Sequence, residues 1–302
     1  MDNQTSIQFH ILPFSLEAKY KLLIFGIFLN VYLIGIFLNL AVIAVICLNV
    51  HLHSPMYVFF CNLSFIDICY TTVTIPKLLH ILLSGDDLLS VTQCFTQTYF
   101  YIICASAEET LLFVMGFDRY VAICRPLFYH RILNKKICIL IMVSIWITSF
   151  INSFIVIIPL QKLPFRRVSS IQDFFCDAID IFNASNGGSQ DYYSLIYGEI
   201  VVFALVPFIC NLVSYGNIIR VILQIKSKEG RIKTFSTCSS HLIVMIIYYS
   251  AGSLSYLIPF SEKTVLSPHL SVMYIIVVPM INPLIYSLRN KELLRSCQKL
   301  LK

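Results

Sequence analysis

The chain has 302 residues, of which 58% are apolar and 13% are charged, and its formal net charge is +6. Soluble domains carry about 25% charged and about 45–50% apolar residues, so this composition excludes a water-soluble protein with one packed core. The basic residues lie in short gaps between apolar runs and form no patch on one face, which excludes a nucleic-acid-binding protein.

The first 21 residues are expected to precede the membrane. They contain Asp2, Glu17, Lys19 and Lys21 but no compact apolar stretch followed by small residues, so they predict no cleavable signal peptide. We expect the first long apolar run to act as an uncleaved signal-anchor instead. Asn3 begins an Asn-Gln-Thr sequon and is a predicted glycosylation site.

Seven apolar runs follow, each near or above the roughly 20 residues that a helix needs to cross a bilayer. They are Leu22 to Leu48, Tyr57 to Leu83, Val91 to Phe117, Ile137 to Leu160, Tyr192 to Ile219, Leu242 to Phe260 and Val265 to Leu288. The sequence therefore predicts an all-α membrane protein. We expect one domain, residues 1–302, with a seven-transmembrane helix bundle over residues 22–288 and a tail of residues 289–302.

The distribution of Lys and Arg predicts how the chain is oriented. Of the 22 Lys and Arg residues, fifteen fall in the gaps after the third and fifth runs or in the tail. Cytoplasmic segments are enriched in these residues, so we expect an extracellular N-terminus and a cytoplasmic C-terminus. The long connection from Gln161 to Asp191 then lies outside, where the sequon at Asn183 is a second predicted glycosylation site.

The tail contains an apolar stripe with basic residues between its members. The stripe consists of Leu293, Leu294, Cys297, Leu300 and Leu301. Such a pattern is typical of a short amphipathic helix lying on the inner leaflet, with a frayed tail as the alternative. Cys297 is a candidate for palmitoylation beside that leaflet.

Four long motifs occur in order along the spans. They are PMYVFFCNLSFID from Pro55, MGFDRYVAICRPLFYH from Met115, KTFSTCSSHL from Lys233 and PMINPLIYSLRN from Pro279. Their sequences and positions resemble those of the vertebrate olfactory receptors, a group of rhodopsin-like G-protein-coupled receptors. The chain departs from that family in the long outer loop, which keeps Cys176 but lacks the two further cysteines typical of the group.

The resemblance implies a plasma-membrane receptor and not an enzyme. Its expected partners are membrane lipid, a heterotrimeric G protein of the stimulatory olfactory type, and a small volatile or hydrophobic odorant that binds in the extracellular half of the bundle. Binding would raise cAMP. No cofactor is implied apart from a sodium ion that acts as an allosteric ligand.

The resemblance also assigns a switch at the inner end of the third span. Asp118, Arg119 and Tyr120 match the family's Asp-Arg-Tyr motif, whose arginine is released on activation and contacts the G protein. An arginine this close to the membrane needs a counter-charge, and Asp118 is its neighbour. The alternative is that Arg119 only extends into the inner headgroups.

A second switch element lies at the end of the seventh span. The stretch that contains Asn282, Pro283 and Tyr286 matches the family's Asn-Pro-x-x-Tyr motif. Proline removes a backbone hydrogen bond, so the helix can bend there and move Tyr286 towards Tyr215 of the fifth span. A passive kink is the alternative.

Two carboxylates, Asp67 and Glu108, fall within apolar runs, where a buried charge is costly without a partner. The resemblance implies that they bind sodium, assisted by Asn39, Asn282 or a neighbouring hydroxyl. Alternatively, one of the two is protonated and hydrogen-bonded.

The eleven cysteines include no CxxC pair. By the resemblance, Cys94 at the outer start of the third span and Cys176 in the outer loop are expected to form a disulfide, since both face the oxidising lumen during assembly. The bond would hold the loop over the mouth of the bundle.

The outer halves of four spans are expected to form the ligand pocket. Its predicted residues are Tyr101, Ile102, Ala105 and Ser106 on the third span, Glu199 and Val202 on the fifth, Tyr249, Ser253 and Tyr256 on the sixth, and Tyr274 on the seventh. An apolar wall with a few hydroxyls suits a small hydrophobic molecule. Two alternatives stay open: Glu109 and Glu199 select an amine or another cation by charge, or the aromatic side chains only pack the bundle.

Other functions fit the sequence less well. It contains no GxSxG, HExxH or phosphate-binding glycine loop of an enzyme, and no lysine in the seventh run for a retinal Schiff base. One remaining alternative is an ion channel or transporter that uses Asp67, Glu108, Glu109 and Glu199. The other is a related chemosensory receptor outside the olfactory epithelium.

Overall fold

In lipid, the backbone must satisfy its hydrogen bonds internally, and a helix does so within one segment of chain. The computed structural model describes residues 7–12, 18–186, 190–257, 263–289 and 291–300. Within these residues, long helices form a bundle and three short strands form a sheet at one of its ends.

The helices and strands follow one another along the chain. They are β1 (Gln8–Ile11), α1 (Ala18–Leu48), α2 (Pro55–Ser84), β2 (Leu88–Ser90), α3 (Val91–Cys124), α4 (Tyr129–Ile132), α5 (Lys135–Leu160), β3 (Val168–Ile171), α6 (Ala178–Asn183), α7 (Gln190–Ile200), α8 (Val206–Gln224), α9 (Lys228–Leu257), α10 (Lys263–Val272), α11 (Val278–Arg289) and α12 (Lys291–Leu300). A π-helical turn, Val201–Leu205, joins α7 to α8, and another, Met273–Val277, joins α10 to α11.

The predicted bundle of seven helices is confirmed. Six of the described helical segments are long and apolar enough to cross a membrane, and α9 contains a further apolar stretch, Cys238–Gly252. The seven spans are therefore α1, α2, α3, α5, α7 with α8, α9, and α10 with α11.

Large apolar side chains cover the outside of the bundle. Phe37, Leu48, Leu140 and Ile246 are 67%, 68%, 64% and 59% exposed, respectively. Exposed apolar surface of this extent would associate or aggregate in water, whereas it matches the hydrocarbon of a bilayer. The chain is a multi-pass membrane protein.

The spans extend beyond the predicted boundaries, and α3 and α9 do so by the most residues at one end. α3 continues to Cys124 instead of ending at Phe117, and α9 begins at Lys228 instead of Leu242. Hydropathy reports only the length of helix inside the hydrocarbon, and a helix can continue past that layer into polar surroundings. The predicted end of the sixth run, at Phe260, lies outside the described residues.

α3 lies inside the bundle and packs against α2, α5 and α8. A Cβ atom at Gly116 would overlap Oδ1 of Asn211, a fully buried residue of α8. The absence of a side chain at Gly116 therefore allows α3 and α8 to approach closely.

Both π-helical turns precede a proline. Pro207 and Pro279 each lie two residues after the end of such a turn. Proline has no N–H to donate to the preceding turn, and a wider turn accommodates this loss. The extra residue in each turn changes which side chains face inward.

A sheet that the sequence analysis did not predict lies at one end of the bundle. The central strand, β1, pairs antiparallel with β2, which precedes α3, and parallel with β3, which lies between α5 and α6. Phe9 and Ile11 of β1 are fully buried. The residues before the first span are thus joined to both loops at what we call the sheet end of the bundle.

The predicted amphipathic helix of the tail is present as α12, so the alternative of a frayed tail is wrong. Leu293 is fully buried, whereas Glu292 and Arg295 are exposed. The hydroxyl of Tyr57 on α2 donates a hydrogen bond of 2.9 Å to Oε2 of Glu292.

Gly116→Ala is expected to destabilise the protein by about 1–3 kcal/mol, because the added methyl must displace a fully buried amide. Gly216→Ala is the matched control, since a Cβ atom there meets nothing within 4 Å and alanine favours a helix. Thermal unfolding of the purified protein in detergent measures the difference. Equal melting temperatures for the two variants would contradict the close approach of α3 and α8.

Candidate functional site

A cavity of about 340 Å³ lies between the third, fourth, fifth and sixth spans. From α3 it receives Tyr101, Ile102, Ala105 and Glu109, which share one face of the helix. The fifth span contributes apolar residues and Glu199, and the sixth contributes the pair Tyr248 and Tyr249. The volume is at the lower end of the range, about 300–1,000 Å³, that is usual for small-molecule sites.

Most of the predicted pocket residues lie at or next to this cavity. Tyr101, Ile102, Ala105, Glu199 and Tyr249 are in its wall. Two others lie behind the wall: Tyr274, whose hydroxyl accepts a hydrogen bond of 3.4 Å from Tyr101, and Ser106, which is 1% exposed. The side chains of Ser253 and Tyr256 lie outside the described residues.

The prediction for Val202 is wrong. Val202 is 58% exposed on the outside of the bundle, and Ile200, Ala204 and Leu205 line the cavity in its place. Val202 lies in the π-helical turn Val201–Leu205, which has more residues per turn than the regular helix that the sequence analysis assumed. Inward positions predicted from a period of 3.6 residues do not hold across this turn.

The sequence analysis missed a contribution from the loop before the fifth span. Asp177, Ala178 and Ile179 lie in the cavity wall. They directly follow Cys176, which forms a disulfide with Cys94 at a Cα–Cα distance of 5.5 Å. The predicted disulfide could have indicated this contribution, because it brings the residues after Cys176 over the start of α3.

Two hydrogen bonds fix this loop further. The backbone N–H of Cys176 donates to Oε1 of Gln97 at 2.9 Å, and its carbonyl accepts from Thr98 Oγ1 at 2.8 Å. Gln97 and Thr98 both belong to α3. The position of the loop is therefore tied to the helix that forms one side of the cavity.

A buried amide connects three spans beside the cavity. Nδ2 of Asn152 on α5 donates to Oγ of Ser106 on α3 at 2.9 Å and to Oε1 of Glu199 on α7 at 3.1 Å. These two bonds fix the orientation of the Glu199 side chain in the wall.

A separate group of polar side chains lies deeper in the bundle. Asp67 and Glu108 are fully buried, and both oxygens of Asp67 accept hydrogen bonds of 3.2 Å from Nδ2 of Asn282. In the described part of the chain, neither oxygen of Glu108 has a hydrogen-bond partner, and Oδ1 of Asn39 has none either. Asn39 donates to the carbonyl of Pro279 at 3.1 Å.

The Asp-Arg-Tyr motif of the third span forms a closed polar group. Nη2 and Nε of Arg119 donate to Oδ2 of Asp118 at 2.6 and 3.0 Å, and the hydroxyl of Tyr129 donates to its Oδ1 at 2.7 Å. Burial, and next the charge of Asp118, raise the pKa of Tyr129, so the phenol stays protonated and donates. Tyr120 does not join this group and packs against Phe117 instead.

Two tyrosines near this group differ in their partners. The hydroxyl of Tyr215 lies 2.8 Å from Nδ1 of His241 and donates to the carbonyl of Cys238 at 3.1 Å. Nε2 of His241 lies 3.0 Å from the carbonyl of Leu112 on α3. The hydroxyl of Tyr286 is buried and has no partner among the described residues.

One of the two predicted glycosylation sites lies within the described residues. Asn183 lies at the end of α6, and its Oδ1 accepts a hydrogen bond of 3.2 Å from Tyr193. Asn3 lies outside the described residues.

Comparisons with known proteins agree on one family. The family model described as olfactory receptor matches residues 28–302. Human olfactory receptor 1C1 is 37% identical over 96% of this chain and 92% of its own length. Human olfactory receptor 2D2 is 38% identical over 98% and 96%, and rat olfactory receptor 1468 is 36% identical over 97% and 94%.

Tyr286→Phe and Tyr215→Phe are expected to change stability in opposite directions. Removal of the unpaired hydroxyl of Tyr286 relieves an unsatisfied buried group, whose cost is about 1–3 kcal/mol, so the melting temperature rises. Removal of the Tyr215 hydroxyl breaks its bonds to α9, so the melting temperature falls. Thermal unfolding of both variants in detergent tests this, and a loss of stability in Tyr286→Phe would contradict the assignment.

Proposed function

Because this chain belongs to the olfactory receptor family, we propose that it is an odorant receptor that raises cAMP through a stimulatory G protein. The observation that carries the proposal is the arrangement of α3. One part of this helix forms a wall of the 340 Å³ cavity, and its far end bears the ion pair of Asp118 and Arg119. One rigid element thus connects a small-molecule site to a switch.

The sheet end is assigned to the outside of the plasma membrane and the Arg119 end to the cytosol. The excess of Lys and Arg at the Arg119 end and in the tail supports this orientation. With it, the cavity is near the extracellular side, from which an odorant arrives, and the basic segments face the G protein.

The route from cavity to switch runs along α9. Tyr248 and Tyr249 line the cavity, and two turns earlier the same helix presents His241 and the carbonyl of Cys238 to Tyr215. A ligand that shifts α9 disturbs both contacts of Tyr215. Tyr286, whose hydroxyl has no partner among the described residues, then moves towards Tyr215, and Arg119 leaves Asp118.

The buried oxygens around Asp67 fit a sodium ion. Glu108, whose two oxygens no donor in the described residues satisfies, lies near the carboxylate of Asp67. Oxygen ligands suit hard cations, and a cation relieves the repulsion between two carboxylates. Such an ion would stabilise the arrangement seen here, in which Asn282 bonds to Asp67.

The channel or transporter alternative has weaker support. It needs the intramembrane carboxylates to lie along one path. Glu109 and Glu199 line the cavity, whereas Asp67 and Glu108 are not in its wall. Ligand-gated current in cells with G-protein signalling blocked would favour this alternative.

Arg119→Ala is expected to abolish the ligand-dependent rise in cAMP while surface expression is kept, because the group released towards the G protein is gone. Arg295→Ala removes a positive charge from the exposed face of α12 and is the matched control. A cAMP assay combined with surface labelling of an N-terminal epitope measures both quantities. A full response from Arg119→Ala would contradict the proposed switch.

Sodium is expected to lower the potency of agonists in the wild-type receptor by about fivefold or more, because it stabilises the resting state. Asp67→Asn should remove this dependence, and Asp86→Asn, in the loop before β2, should keep it. Agonist titrations with sodium replaced by N-methylglucamine provide the measurement. Equal potency in both media for the wild-type receptor would rule out the ion site.

A further inference from the structure

The wall of the 340 Å³ cavity carries charges of one sign. Three carboxylates, those of Glu109, Asp177 and Glu199, lie among its lining residues. No Lys, Arg or His is found in the wall as far as the chain is described. The remainder of the wall is mainly apolar.

The described residues supply few hydrogen-bond donors to the two glutamates. Glu199 accepts one bond, from Nδ2 of Asn152. Glu109 accepts no hydrogen bond from any described side chain or backbone group. A carboxylate can accept about four hydrogen bonds, so most of this capacity is unused.

Aromatic side chains also contribute to the wall of the cavity. Tyr249 lies in the wall and is only 9% exposed, and its hydroxyl has no hydrogen-bond partner among the described residues. Its ring packs against that of Phe208 at a centroid distance of 4.8 Å. The cavity therefore has aromatic side chains beside its carboxylates.

Carboxylates in a site surrounded by lipid and protein require a counter-charge. The described wall contains none, and a cationic ligand can supply it. An ammonium group carries one positive charge and up to three N–H donors, and aromatic faces attract it as well. An apolar body on the same molecule fits the alkyl side chains of Ile102 and Ile196.

We propose that the cavity selects a small protonated amine with an apolar body, and that its ammonium group binds between Glu109 and Glu199. This inference rests on the proposed receptor function and specifies its ligand class. The apolar wall distinguishes such an organic cation from an inorganic one, because a hydrated metal ion gains nothing from alkyl side chains. It also distinguishes the amine from a neutral odorant, which would leave the carboxylates unpaired.

The test compares amines with neutral molecules of the same shape on the full-length receptor. The pairs are phenethylamine with 2-phenylethanol and isopentylamine with isopentanol, and calcium chloride, added at a constant sodium concentration, is the inorganic probe. Ligand-induced thermal stabilisation in detergent reports binding, and cAMP in cells reports signalling. An amine that binds without a cAMP response would refute the proposed function and leave this inference intact.

We expect each amine to bind at least about tenfold more tightly than its alcohol. Glu109→Gln should weaken amine binding by about 100-fold or more, because the partner of a desolvated charge is lost, and should leave the alcohol unaffected. Glu199→Gln, which keeps an acceptor for Asn152, should act in the same direction. Asp191→Asn, at an exposed position at the start of α7, is the control and should change the affinity for neither ligand.

Three results would overturn the proposal. They are a panel in which no amine stabilises the receptor, alcohols that bind as tightly as amines, and stabilisation by calcium chloride that equals stabilisation by an amine. An equal loss of affinity for the amine and the alcohol in Glu109→Gln would indicate that Glu109 only packs the wall, and it would overturn the proposal as well.

Discussion

A bilayer offers no hydrogen bonds, and this constraint governs the polar interior of the protein. Every polar group buried in the bundle needs a hydrogen-bond partner within the protein, and the partners that lie on another segment help to determine how the helices lie against one another. Arg119 meets the requirement through Asp118, whose second oxygen is satisfied by Tyr129 from the following connection. Asn152 meets it by donating to two other spans. α3, which carries Arg119, has no side chain at Gly116, and this lets α8 approach.

A second set of polar groups does not meet this requirement within the described residues. Both oxygens of the Glu108 carboxylate and the hydroxyl of Tyr286 are buried without a hydrogen-bond partner. Each unsatisfied buried group raises the free energy of this state by about 1–3 kcal/mol or more. These are the positions where a cation, a ligand or another conformation can supply what is missing. In the proposed mechanism, the unsatisfied groups that lower the stability of this state are the same groups that take part in binding and switching.

The helices could be predicted from sequence because each apolar run must by itself match the thickness of the hydrocarbon. The positions of Arg119 and Tyr286 followed from motifs of adjacent residues. Features that depend on distant contacts could not be predicted. The strand around Phe9 is four residues long and exists only because two loops pair with it. Val202 was misplaced because a π-helical turn shifts the inward positions, and Asp177 was missed because a disulfide determines the path of its loop.

The most direct test is an experimental structure of the receptor bound to an agonist and a G protein. The proposed mechanism predicts that Arg119 has left Oδ2 of Asp118, from which Nη2 lies 2.6 Å here, and that the hydroxyl of Tyr286 has gained a partner near Tyr215. An active complex with the ion pair intact and the Tyr286 hydroxyl still unpaired would contradict it.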